Sequence, residues 1–103
     1  MQSLEEYTSK AKNIDFCTEC WIDGRFVPSR SGETISNINP ATGKKLCDVA
    51  KGNSSDIDAA VKAARTAFED GRWSGKTPSE RKEVILNLAK HIRENVTEMA
   101  LLD

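Results

Sequence analysis

Trp21-Ile22-Asp23-Gly24-Arg25-Phe26-Val27 carries an Asp-Gly pair between two short apolar stretches, and Asn39-Pro40-Ala41-Thr42-Gly43 follows after a polar run. A two-residue type I′ turn needs positive φ at both central positions, which Asp and Gly tolerate, so the first stretch predicts a β-hairpin. Pro28 lacks a backbone donor and ends useful pairing. Ser29-Arg30-Ser31-Gly32 reads as loop and Thr34 to Asn39 as a further extended segment. Pro40 to Gly43 reads as a turn into a strand over Lys45 to Ala50. The strands are short, and one small antiparallel sheet is expected to hold them.

Helices flank this β-rich stretch. Leu4, Tyr7, Ala11 and Ile14 recur at spacings of three and four, which predicts a short amphipathic helix over Met1 to Phe16. Downstream, Ser55 is the expected N-cap of a second helix, with Asp56 and Asp58 in a first turn that favours negative charge. Ile57, Ala60, Val61, Ala64 and Phe68 mark its apolar face, and Gly71 is placed to stop it. Thr77-Pro78-Ser79-Glu80 combines a capping box with Pro at the first helical position. From there Val84, Ile85, Leu88, Ile92, Val96 and Met99 hold the helical period for about 25 residues, a rod of about 37 Å.

At 103 residues the chain has room for one small domain, and 38 % hydrophobic with 30 % charged residues reads as globular. Fifteen Lys and Arg are interspersed with sixteen Asp and Glu, so there is no footprint for nucleic acid or an anionic membrane. No apolar run approaches the roughly 18 to 20 residues that cross a bilayer. The acidic start Met1-Gln2-Ser3-Leu4-Glu5-Glu6-Tyr7 resembles neither a secretory signal nor a mitochondrial presequence, which makes cytoplasmic the default location. Three cysteines, an odd number, fit reduced thiols better than a disulfide framework.

Several residues invite a chemical reading, and each has a plainer one. Cys17-Thr18-Glu19-Cys20 is a Cys-x-x-Cys pair, but the further zinc ligands on offer, Cys47 and His91, lie at irregular distances. A redox pair would open a helix, whereas this one runs into a strand. His91 has no nucleophile and acidic orienter at helical spacing and reads as structural. Asp56, Asp58, Glu69 and Asp70 are accounted for by capping and solvation, without acid/base chemistry. Gly24, Gly32, Gly43 and Gly52 are too dispersed for a dinucleotide or P-loop fingerprint, with none expected directly between strand and helix. Trp21 and Trp73 read as core or interface anchors. No catalytic, cofactor-binding or metal residue is assigned.

Taken in order, the hairpin, the Asn-Pro-Ala-Thr-Gly turn, the Ala-rich helix Asp56-Ile57-Asp58-Ala59-Ala60-Val61-Lys62-Ala63-Ala64-Arg65-Thr66-Ala67-Phe68 and the segment Pro78-Ser79-Glu80-Arg81-Lys82 resemble the opening of an aldehyde dehydrogenase. The resemblance runs from about Trp21 to Asp103 and implies an α/β fold. In it, an N-terminal hairpin, short strands and two long helices belong to the cofactor-binding domain. Residues 1–19 would be an N-terminal extension and 20–103 the first part of a longer domain. Arg81 matches an Arg common in the family, with an ion pair or helix-terminus contact as its expected role. Asn37 and Ile38 correspond to carbonyls that hold a monovalent cation in some members, but the completing Asp would lie just past Asp103.

For the complete protein the resemblance implies oxidation of an aldehyde to a carboxylic acid with NAD or NADP. A Cys thiolate attacks the aldehyde, hydride passes to the cofactor, and a Glu-activated water hydrolyses the thioester. Cys17, Cys20 and Cys47 are not that nucleophile, because they precede or lie within the family's N-terminal strands and turn. A homo-oligomer is implied for the complete enzyme. Gly71-Arg72-Trp73-Ser74 and Ala100-Leu101-Leu102-Asp103 lean toward the branch acting on γ-aminobutyraldehyde-like substrates. The last helix ends on Leu101-Leu102-Asp103 without a stop signal, and its stripe exceeds the partner surface available. Both features lead us to expect a fragment that is inert alone, with part of the stripe exposed. Two alternatives stay open: a module that binds aldehyde dehydrogenase subunits, and a metal or thiol module built on Cys17 and Cys20.

Overall fold

At the Asp-Gly pair the backbone adopts φ 54° at Asp23 and 75° at Gly24, the two positive values that the tight turn requires. Strand β1 (Cys20–Ile22) and strand β2 (Arg25–Val27) pair antiparallel across it, with Trp21 opposite Phe26. Their rings meet edge to face, centroids 4.7 Å apart. Pairing ends at Val27, before Pro28. This is a computed structural model, and it describes residues 2–103.

A second antiparallel ribbon joins β3 (Thr34–Ile38) to β4 (Lys45–Ala50), with Ile35 opposite Val49 and a register shift between Asn37 and Ile38. The Asn-Pro-Ala-Thr-Gly turn closes it through identifiable contacts. Asn39 Oδ1 accepts the Ala41 N–H at 2.9 Å, the Gly43 N–H donates to the Asn39 carbonyl at 2.8 Å, and Gly43 takes φ 72°. The single sheet expected from the sequence is therefore two separate two-stranded ribbons. One backbone bond, Ala50 N–H to the Thr18 carbonyl at 2.7 Å, ties β4 to the segment leading into β1.

The helices are α1 (Leu4–Lys12), α2 (Ser54–Glu69), α3 (Pro78–Glu94) and α4 (Val96–Leu102). Helix α1 is shorter than the periodicity suggested. Ser3 caps it in a reciprocal box with Glu6, and Asn13 ends it, its Nδ2 donating to the Ser9 carbonyl at 2.9 Å. Of the expected span, Met1 lies outside the described residues. The α2 cap is Asn53, two residues before the expected Ser55, because Asn53 and Asp56 exchange backbone and side-chain hydrogen bonds. The Thr77 and Glu80 box with Pro78 forms as expected.

The 25-residue rod does not form as one piece. At Asn95 the backbone turns to φ −114° and ψ 18°, while its Nδ2 donates to the His91 carbonyl at 2.8 Å. A short amide side chain that bonds the preceding turn competes with the helical ladder, so α3 ends there and α4 begins without a side-chain cap. One compact unit runs from Phe16 to Arg72. The other joins the N-terminal residues through Asp15 to Trp73–Asp103.

Among the described residues no hydrophobic side chain is fully buried; the two buried residues are Ser29 and Asp56. Within the Phe16–Arg72 unit α2 meets the hairpin through small residues. Ala59, Ala60, Ala63 and Ala67 are half-buried, whereas Ile57, Val61 and Phe68 stand more than half exposed. The bulky face read from the sequence is thus roughly a quarter-turn away from the face that packs, since about 100° separates successive helical residues. Small side chains permit the closer approach that a three-residue strand needs. In the other unit Val84, Ile85, Leu88, Ile92, Val96 and Met99 are all exposed.

Candidate functional site

The most constrained point of the Phe16–Arg72 unit is the carboxylate of Asp56, 4 % exposed. Its position follows from local sequence: three residues after the Asn53 cap, it reaches back so that Oδ2 accepts the Asn53 N–H at 2.9 Å. Oδ1 accepts the Arg30 N–H at 3.0 Å, a bond spanning the loop after β2 and the start of α2. Ser29, 5 % exposed, steadies that loop by donating Oγ–H to the Glu33 carbonyl at 2.8 Å. The Asn53 N–H first, and the Arg30 N–H second, hold the Asp56 carboxyl below the usual carboxylate range. With one backbone hydrogen bond on each oxygen, the carboxylate ties the Arg30 loop to the start of α2.

At the other end of α2, Asp70 and Arg72 form a bidentate pair. The guanidinium hydrogen bond lowers the Asp70 carboxyl, and the same bond raises Arg72. Between these two ends the hairpin and α2 enclose two open clefts. One, of about 420 Å³, is lined by Arg25, Val27, Arg30, Lys62, Ala63 and Thr66 among others. The second, of about 360 Å³, has Trp21, Gly24, Ala60 and Ala64 in its wall. Ile22, Asp23, Ala63 and Arg72 border both.

The residues singled out in the sequence do not converge. Cys20 lies in β1 and Cys47 in β4, both half-buried, and Cys17 is exposed; all three are free thiols. His91, on α3, has Nδ1 3.6 Å from Glu94 Oε2, an exposed pair within one helix turn. Asp58 and Glu69 are exposed on α2, the latter 4.0 Å from Arg65. Trp21 packs on Phe26 while remaining largely exposed, so it is an anchor of the hairpin and not of a core. Trp73 is also exposed. Arg81 is half-buried and makes no ion pair among the described residues. No cluster of three metal-ligating side chains is found among the described residues, and no helix is long and apolar enough to cross a membrane.

Gly52 requires a correction, because it does sit in a strand-to-helix connection, between β4 and α2. There the Asn53 N–H donates to Asp56 Oδ2 and the Asp56 N–H donates to Asn53 Oδ1, which sets a fixed carboxylate at the start of α2. Asn37 and Ile38 stand in β3, paired with Cys47 and Lys45 across the register shift. The Asp56 tie escaped the sequence reading, although the Asn-x-x-Asp spacing of a capping box was available as its signal.

The sequence profile described as aldehyde dehydrogenase family matches residues 26–103. Aminoacetaldehyde dehydrogenase of Pseudomonas aeruginosa is 43 % identical over 101 residues, which is 98 % of this chain and 20 % of that protein. The crystal structure of γ-glutamyl-γ-aminobutyraldehyde dehydrogenase from Burkholderia cenocepacia superposes with a TM-score of 0.94 at 36 % identity, covering 98 % of this chain and 20 % of the other. An indole-3-acetaldehyde dehydrogenase complexed with NAD+ gives a TM-score of 0.94 at 32 % identity over 99 % of this chain and 21 % of the other. The chain thus spans about a fifth of the length of the relatives it matches.

Proposed function

Because the chain belongs to the aldehyde dehydrogenase family, we propose that it serves as the N-terminal scaffold of an enzyme that oxidises an aldehyde to a carboxylic acid with NAD or NADP. The observation that carries this reading is the superposition of nearly the whole chain, at a TM-score of 0.94, on one fifth of an aldehyde dehydrogenase. The same local devices account for the likeness: the Asp23-Gly24 hairpin, the Asn39-to-Gly43 turn and the capped helices α2 and α3. Alone, the segment is expected to contribute no cofactor cradle, because its strand-to-helix glycine leads into an α2 start that already holds the Asp56 carboxylate. Its part in the reaction is to hold structure outside the chemistry, in a cytoplasmic homo-oligomer. The substrate we infer is an amino-substituted aldehyde of the γ-aminobutyraldehyde type, which the likeness to the aminoacetaldehyde and γ-glutamyl-γ-aminobutyraldehyde dehydrogenases supports.

A domain swap tests the scaffold reading. Residues 1–103 replace the corresponding segment of the Burkholderia enzyme, and NAD reduction with γ-glutamyl-γ-aminobutyraldehyde is followed by absorbance. The chimera is expected to be soluble and active, while the 103-residue chain alone shows no saturable NAD binding by calorimetry. A chimera that folds but neither binds NAD nor turns over overturns the reading, as does micromolar NAD binding by the chain alone.

The exposed apolar side chains of α3 and α4 favour one second reading, a module that docks on aldehyde dehydrogenase subunits. Co-purification of the separate 103-residue chain with the intact Burkholderia enzyme supports that reading, and its absence removes it.

A further inference from the structure

We propose that the larger cleft beside the hairpin is a binding site for a small polyanion, of the chemical class of a diphosphate or a di- or tricarboxylate. Four cationic side chains border it, Arg25, Arg30, Lys62 and Arg72, against two carboxylates, Asp23 and Asp56. Arg72 is bound to Asp70, and Asp56 keeps its negative charge while its two oxygens accept from the Asn53 and Arg30 backbone donors, so the surplus of positive charge rests on Arg25, Arg30 and Lys62. Among the described residues Arg25, Arg30 and Lys62 form no ion pair and donate no side-chain hydrogen bond, so their donors are free to turn into the cleft.

Three elements supply these cations: β2 gives Arg25, the loop after it gives Arg30, and α2 gives Lys62. The hairpin turn and the Asp56 tie fix all three backbones, so the charges are gathered by the fold and not by one flexible run. Ala59, Ala63, Val27 and Pro28 provide small and apolar walls, and Thr66 adds a hydroxyl. A volume of 420 Å³ lies at the lower end of the about 300–1,000 Å³ typical of small-molecule sites. Guanidinium and ammonium donors around one opening recognise oxyanions carrying two or more charges, because each charge-assisted bond is strong only when its partner is ionised.

Pyrophosphate is the probe, titrated into the 15N-labelled 103-residue chain at constant ionic strength. Saturable amide shifts confined to residues around Arg25, Arg30, Lys62, Ala63 and Thr66 are expected. Loss of two charged donors in the double variant Arg25→Gln, Lys62→Gln should weaken binding about tenfold or more. Lys82→Gln, on α3, is expected to change nothing. Should the double variant lose its circular dichroism, the single Lys62→Gln on the exposed side of α2 must still weaken binding at least about threefold. Shifts spread over all basic residues, no saturation, or equal affinity in these variants would overturn the proposal. None of these readouts depends on NAD or on turnover, so failure here leaves the scaffold reading standing.

Discussion

The junction around Asp56 and the stripe along α3 are built on opposite terms. At the junction, loop and helix start lie 26 residues apart and are joined by a buried carboxylate whose acceptors are both used. Along α3 the pattern is regular, yet Val84, Leu88 and Ile92 remain between two fifths and three fifths exposed. Regular periodicity therefore marks where a surface is prepared for burial, whereas a satisfied long-range polar bond marks where burial has happened. Fully burying a large aliphatic side chain is worth about 1.5–3 kcal/mol, so the stripe represents stabilisation that these contacts leave uncollected.

The largest effect is expected at the junction. Asp56→Ala removes the acceptor for two backbone donors and with it the hydrogen bond joining the Arg30 loop to α2, and should lower the urea midpoint more than any single change elsewhere in the Phe16–Arg72 unit. Circular dichroism of the helices measures it; a midpoint unchanged within error would mean that the junction is not what holds this unit. Gly24→Val comes next. A β-branched residue at φ 75° costs on the order of 1–2 kcal/mol, and the hairpin should lose its near-ultraviolet Trp21–Phe26 signal. Asn53→Ala, which keeps the Asp56 carboxylate but deletes the cap, should cost about 1 kcal/mol.

Acid sharpens the same contrast. Asp56 and Asp70 in one unit, and Glu6 and Glu80 in the other, all lie below their ordinary values, each through a hydrogen bond from a cap or from Arg72. A depressed carboxyl contributes stability above its unfolded pKa that is lost as pH falls through the folded one. Stability should therefore hold from neutral pH down to about pH 5 and fall progressively below about pH 4. In Asp56→Asn that acid loss should be shallower. Urea midpoints at a series of pH values provide the check, and an equally steep decline in the variant would remove Asp56 from the list of responsible groups.

The smallest stability change is expected on the stripe. Ile92→Lys with Val96→Lys places charges at positions already 43 % and 60 % exposed, so the cost in this chain should stay within about 0.5 kcal/mol. Self-association and hydrophobic-dye fluorescence should both drop. In the swapped full-length chimera, by contrast, the same pair should be severely destabilising if the stripe is covered there, because buried unpaired charges are costly. Equal tolerance in both settings would erase the distinction between the two regions.

The local devices are legible in the sequence by itself. Asp23-Gly24, the Asn39-to-Gly43 turn and the Thr77-Pro78-Ser79-Glu80 start each satisfy backbone donors or special dihedrals within a few residues, so their outcome depends on nothing distant. The family resemblance rests on those devices. Asn95 is the local exception: its amide competes with the ladder inside an otherwise apolar period, and hydrophobic spacing does not register such competition. Tertiary structure decides the rest. Whether four strands form one sheet or two ribbons, and whether α2 packs by its alanines or its bulky residues, depend on how closely separate backbones approach. That the Asp56 carboxylate binds Arg30, and that three unpaired cations gather at one cleft, depend on where segments far apart in sequence come to rest. Hydrogen bonds and charges act over a few ångströms of space, and only the folded chain sets those distances.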